Sequence, residues 1–97
     1  MIFVSEAKLK RYFEVTGNAF SLAKASGNRT DLDAQRADFL DMASRYYEDA
    51  RHFERKGDRV NAFACLNYAH GWLDAGARIG LFDVHDSSLF TVDEKKG

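Results

Sequence analysis

Apolar residues recur at three- and four-residue intervals in three stretches of the chain, and polar or glycine-containing links separate those stretches. That period predicts an all-α protein. The first helix is expected from about Ser5, a plausible N-cap, to about Ser26, with Gly27-Asn28 as its stop signal. Leu9, Tyr12, Phe13, Thr16, Phe20 and Ala23 share one face, while Val15 and Leu22 fall outside it. Gly17, in the middle, costs about 1 kcal/mol of helix propensity relative to alanine.

The second helix is expected over 32–56, after the polar link Asn28–Asp31, with Thr30 or Asp31 as its cap. Phe39, Met42, Ala43, Tyr46, Ala50 and Phe53 form its core stripe, flanked by Leu40 and Tyr47; Asp41, Arg45, Glu48, His52 and Arg55 form the solvated back. Asp41 and Arg45 stand i,i+4 in the favourable acid-to-base order. Lys56-Gly57-Asp58 then ends this helix and starts the next: glycine supplies a left-handed residue, and Asp58 caps the new N-terminus. So short a link makes helices two and three an antiparallel hairpin.

The third helix, 59–80, carries two adjacent apolar stripes: Cys65, Tyr68, Trp72, Ala75 and Ile79, and Ala62, Leu66, Ala69, Leu73, Gly76 and Gly80. Together they cover about half the helical circumference, the width needed to touch two neighbours. Gly71, Gly76 and Gly80 each forfeit about 1 kcal/mol of propensity, a cost that close packing or an open groove should offset. A tail, 81–97, completes a single domain over 1–97. Within it Leu89-Phe90-Thr91-Val92 is an apolar tetrad fit to dock on the helices or on a partner, and the charged last five residues are expected to fray.

Composition narrows the function. Apolar residues make up 45% and aromatics 13%, enough for a packed core, and proline is absent. A net charge of −1 gives no electrostatic reason to expect a nucleic-acid or membrane surface. The apolar start Met1–Val4 is too short for a signal segment, and the lone cysteine, Cys65, excludes an internal disulfide and fits a reducing cytoplasm. No cofactor motif is present.

The sharpest polar feature is the ridge Asn67, His70, Asp74 and Arg78 on the third helix, opposite its apolar half. His70 with Asp74, and Asp74 with Arg78, are i,i+4 pairs. The ordinary reading is a solvated outer face; the functional one is a ligand face beside Trp72, with a histidine oriented by a carboxylate. Asp49–His52 has the acid-x-x-His spacing of carboxylate-bridged metal bundles, but its nearest counterpart, Asn67–His70, offers an amide, so no metal site is expected. Arg45 and His52 have the loose spacing seen in HEPN-class helical ribonucleases, with Tyr46 where those proteins place a polar residue.

Tyr46–Ala50, Phe53, Lys56-Gly57-Asp58, Asn61–Ala64 and above all the run Tyr68-Ala69-His70-Gly71-Trp72-Leu73-Asp74-Ala75-Gly76 resemble a small archaeal family, domain of unknown function 357. The resemblance covers residues 37–82 and implies an up-and-down three-helix bundle with a short C-terminal tail, in an archaeal cytoplasm. It carries no catalytic residue, but it points to Tyr68, His70, Gly71, Trp72 and Asp74. The expected function is a non-catalytic protein-interaction or oligomerisation module, with a protein partner or self-association as a homo-oligomer, based on the absence of a catalytic signature and on the surplus apolar positions Val15, Leu22, Phe63 and Leu81. Its candidate face is Asn67, Tyr68, His70, Trp72, Asp74 and Arg78. The alternatives are a small-ligand or nucleotide-handling protein using His70, Asp74 and Arg78, and an RNA-processing enzyme of the HEPN type using Arg45 and His52.

Overall fold

The computed structural model describes residues 3–91. It contains three helices, α1 (Glu6–Ala25), α2 (Asp33–Arg55) and α3 (Arg59–Ile79), and no strand among the described residues. They pack as a three-helix bundle in which α2 and α3 form the closest pair and α1 lies mainly against α3. Met1, Ile2 and the segment 92–97, including Val92 of the expected tetrad, lie outside the described residues.

The helix ends show how the chain was cut into three. Ser5 caps α1, its hydroxyl accepting from the Lys8 amide. At the α2–α3 turn, Gly57 has φ 78°; its N–H donates to Glu54 O, and the Asp58 N–H donates to Phe53 O. This pair of bonds is a Schellman closure. Asp58 then accepts from the Asn61 amide and side chain. Those bonds, the backbone one first, hold its carboxyl below the usual range.

Two expected caps differ from the structure. Thr30 and Asp31 do not cap α2: Leu32 occupies that position without a side-chain bond, because the Thr30 hydroxyl accepts instead from the Leu32 amide within the link. Gly27 does not close α1 in a left-handed conformation either. The stop is Ser26, extended, with its hydroxyl donating to Ala23 O.

The final carbonyls of α1 are instead satisfied from another helix. The Arg36 guanidinium on α2 donates to the carbonyls of Ala23, Lys24, Ser26 and Gly27, and also to Leu81 O at 2.7 Å. Its plane lies 5.4 Å over the Phe82 ring. One cation thus closes the C-terminus of α1 and ties it to the segment that follows α3. Backbone bonds from Arg29 to Gly80 O and from Asp83 to Gly27 O, with an Arg29–Asp83 ion pair at 3.4 Å, complete this end of the molecule.

The core has two parts. At the hairpin end, Val4, Leu9, Phe13, Ala50, Ala62 and Leu66 pack together. At the other end, Ala19, Ala23, Ala43, Leu73 and Ala77 pack with Leu81, Phe82, Val84 and Phe90 from beyond α3. The tail is therefore part of the core, and Leu81, which looked surplus in the sequence, is fully buried. Gly76 makes room for this: a Cβ there would come within 2.3 Å of the Phe82 ring, so the close approach at Gly76 is by a tail side chain and not by another helix. Gly17 has a similar role, its missing Cβ leaving space for the Tyr47 hydroxyl, which donates to Phe13 O.

Candidate interaction surface

The two sides of α3 that flank its buried stripe differ in kind. On one side lies the polar ridge. His70 is partly buried, with Nδ1 at 3.2 Å from the Thr16 hydroxyl of α1 and Nε2 at 2.5 Å from Leu89 O of the tail. A carbonyl oxygen can only accept, so Nε2 carries the hydrogen and donates to Leu89. Nδ1 shares its hydrogen bond with the Thr16 hydroxyl, which can donate or accept. Thr16 is itself a buried polar side chain of the core, and this bond satisfies it.

Asp74, one turn along, accepts from the Thr91 amide at 2.9 Å and from the Thr91 hydroxyl at 3.5 Å, and stands 3.9 Å from His70 Nε2. Arg78 reaches Thr91 O at 3.5 Å. Within the tail, Asp86 holds a turn by accepting from the Ser88 hydroxyl and amide. These bonds, the side-chain one first, lower its pKa. His70 and Asp74 are therefore a latch for residues 89–91, not members of a solvated outer face. Only Asn67 and Arg78 of the ridge are exposed. A cleft of about 440 Å³ remains between α1 and α3, walled by Arg11, Tyr12 and Thr16 on one side and Asn67, His70 and Asp74 on the other.

The other flank is the stripe Cys65, Tyr68, Trp72, Ala75 and Ile79. The width of the apolar half was expected to touch two neighbouring helices, and among the described residues this flank is covered only in part. Tyr68 is 63% exposed and Ile79 56%; Ala75 is exposed, and Trp72 and Cys65 are half-buried. Burial, followed by the Asp49 charge, pushes the Cys65 thiol pKa up. Across the α2–α3 seam, Tyr68 stacks on Tyr46 with centroids 5.3 Å apart, and Trp72 meets Phe39 edge-on at 5.0 Å. The register that sets Phe39 beside Trp72 brings Leu32, also exposed, level with Ile79 in the antiparallel pair. A shallow groove of about 270 Å³ runs along the seam, lined by Phe39, Asn67, Tyr68, Gly71, Trp72 and Ala75.

The remaining sequence candidates stay apart. Arg45 pairs with Asp41 at 2.9 Å on the exposed back of α2, and His52 lies against the Phe53 ring. Among the described residues, no three His, Cys, Asp or Glu side chains gather into a metal-holding group, and no helix is long and apolar enough to cross a membrane. Of the other surplus apolar positions, Val15 and Phe63 are half-buried, the latter edge-on to Tyr12 at 4.7 Å, and Leu22 is partly exposed.

The family model described as "Protein of unknown function (DUF357)" matches residues 11–82, which is most of the chain. The chain belongs to this family. The DUF357 match takes in all of α2 and α3, including both flanks, and ends at Phe82, whose ring fills the space left by Gly76. The latched segment 83–91 lies beyond it. No curated protein and no solved structure matches the chain.

Arg36 is the residue that sequence reading missed. A signal for it exists: a cation in the first turns of α2 opposes that helix's own dipole and is better placed to serve the C-terminus of another.

Proposed function

We propose that this protein is a non-catalytic helical interaction module of an archaeal cytoplasm, and that its contact face is the aromatic seam between α2 and α3. The observation that carries the reading is the exposure of Tyr68 and Ile79 on a stripe with Trp72 and Ala75. These positions are spaced by four, three and four residues, the spacing at which one helix seats another. Large apolar side chains that line up on one face without cover mark a protein contact. The near-neutral charge supports a protein partner over a nucleic acid or a membrane surface. The ligand reading of His70 and Asp74 is weakened, because Thr16, Leu89 and Thr91 already take up their hydrogen-bonding groups.

Hydroxyl-radical footprinting tests the proposal. Tyr68 and Trp72 are expected to be oxidised less in intact cells than in dilute purified protein, with Tyr12 unchanged as internal reference. Equal labelling of Tyr68 and Trp72 in both settings overturns it.

A further inference from the structure

The partner of this face can be inferred from the size pattern of the stripe. Read from either end, the positions run large, large, small, large in one direction (Tyr68, Trp72, Ala75, Ile79) and large, small, large, large in the other. When a second such stripe is laid antiparallel, Trp72 comes level with Ala75 and Tyr68 with Ile79, twice over. Each bulky indole then meets a methyl group, and both ends close on a large apolar pair. A two-fold interface requires this kind of self-complementarity, because one patch must serve as both partners.

We infer that the partner is a second copy of this chain, docked antiparallel so that two α2–α3 hairpins form a four-helix bundle. The inference rests on the reading of this face as a contact surface. Gly71 is compatible with it: this mid-helix glycine lines the groove beside Trp72, and also the cleft between α1 and α3, and a Cβ added there would meet nothing within 4 Å among the described residues.

Two chains of net charge −1 repel only weakly, and in the antiparallel pair the Asp49 carboxylates, which act on Cys65, lie at opposite ends of the interface. A specific dimer needs roughly 600 Å² from each copy, which is about a tenth of the 6293 Å² surface. Two adjacent helices of more than twenty residues each can supply that area.

The cysteine at one end of the stripe reports on orientation. In a parallel pair the two Cys65 thiols would face each other; in the antiparallel pair they lie at opposite ends, and it is the Ala75 positions that approach the axis. The experiment combines sedimentation equilibrium with cross-linking by a short bismaleimide. The wild type is expected to be a dimer with no link through Cys65, whereas Ala75→Cys in a Cys65→Ala background links efficiently. Ile79→Glu is expected to raise the dimer dissociation constant at least about 30-fold while the helical circular dichroism is unchanged. Tyr68→Ala, which removes no buried group, serves as a second variant with the same expected direction.

A wild-type chain that stays monomeric at millimolar concentration overturns self-pairing. If Tyr68 and Trp72 are nonetheless protected in cells, the contact-face reading stands and only the identity of the partner falls. A dimer that Ile79→Glu and Tyr68→Ala both leave intact places the contact elsewhere. A dimer linked through Cys65 overturns the antiparallel arrangement.

Discussion

The polar and apolar flanks of α3 have exchanged the environments that their composition suggests. On the one flank His70 and Asp74 are bonded by the chain's own residues, while on the other Tyr68 and Ile79 are open. Polarity alone is a poor guide to exposure when a neighbouring segment brings backbone groups that need partners. The tail crosses the polar flank and leaves Leu89 O and the Thr91 amide there, and a histidine and a carboxylate are the side chains that can satisfy them. Among the described residues, no such segment crosses the apolar flank.

The largest effect that separates the two flanks should come from what each contributes to folding. Phe82, which anchors the start of the tail beneath Arg36 and against Gly76, is fully buried. Phe82→Ala is expected to cost about 3–5 kcal/mol in urea unfolding. Tyr68→Ala, on the open flank, should stay within about 0.5 kcal/mol of wild type when measured at concentrations low enough to keep the chain monomeric. A large loss at Tyr68 in that regime would mean that the stripe belongs to the monomer's core, and the contrast would collapse.

Arg36 comes next. Its guanidinium serves the C-terminal carbonyls of α1 and Leu81 O together, so Arg36→Met keeps much of the side-chain bulk but removes the charge-assisted bonds. The expected loss is about 2–3 kcal/mol, allowing for the half-exposed position. Amide exchange should show the last turn of α1 and residues 81–83 opening together. Opening of α1 alone would show that the tail is held without Arg36.

These two residues also show where the sequence was legible. The hairpin turn was readable in full, because Gly57 and Asp58 encode a local closure and cap whose every bond lies within a few residues. The core stripe of α3 was equally readable, since Leu66, Ala69 and Leu73 follow the helical period. The closure of α1 was not. It depends on Arg36, ten residues beyond Ser26, and on loop geometry that no period encodes. The ridge was legible as four residues at helical spacing along α3. What covers it lies on the far side of a turn, at Leu89 and Thr91, and seventeen or more residues of separation leave no local signature.

The latch itself should have a smaller effect. Asp74→Asn keeps the shape but removes the charged acceptor facing the Thr91 amide, at an expected cost of about 1 kcal/mol. Exchange should quicken at Thr91 and leave α2 unaffected. Acid should act on the same segment. The Asp86 carboxyl is lowered in the folded chain by its bonds from Ser88, so its contribution is present above the unfolded value of about 3.9. It is lost as pH falls through the lower folded value. Amide exchange at Ser88, compared between pH 5 and pH 3, should show the tail turn loosening on acidification. Constant protection there would remove Asp86 from the account.

The smallest effect bears most directly on the open flank. Gly71 and Gly76 stand on the same helix, five residues apart, and they predict opposite responses to alanine. At Gly76 the new methyl would drive into the Phe82 ring, so Gly76→Ala should destabilise the monomer. At Gly71 it would meet nothing within 4 Å among the described residues, so Gly71→Ala should stabilise the monomer by about 0.5–1 kcal/mol through helix propensity and reduced unfolded-state entropy. Gly71 has no packing role among the described residues and lines the seam groove as well as the α1–α3 cleft, so under the dimer proposal it leaves room for a partner. Gly71→Ala should therefore melt at a higher temperature under dilute conditions while associating more weakly in sedimentation. A variant that is both more stable and equally well associated would leave Gly71 with no role at the seam, and the open flank would then rest on Tyr68, Trp72 and Ile79 alone.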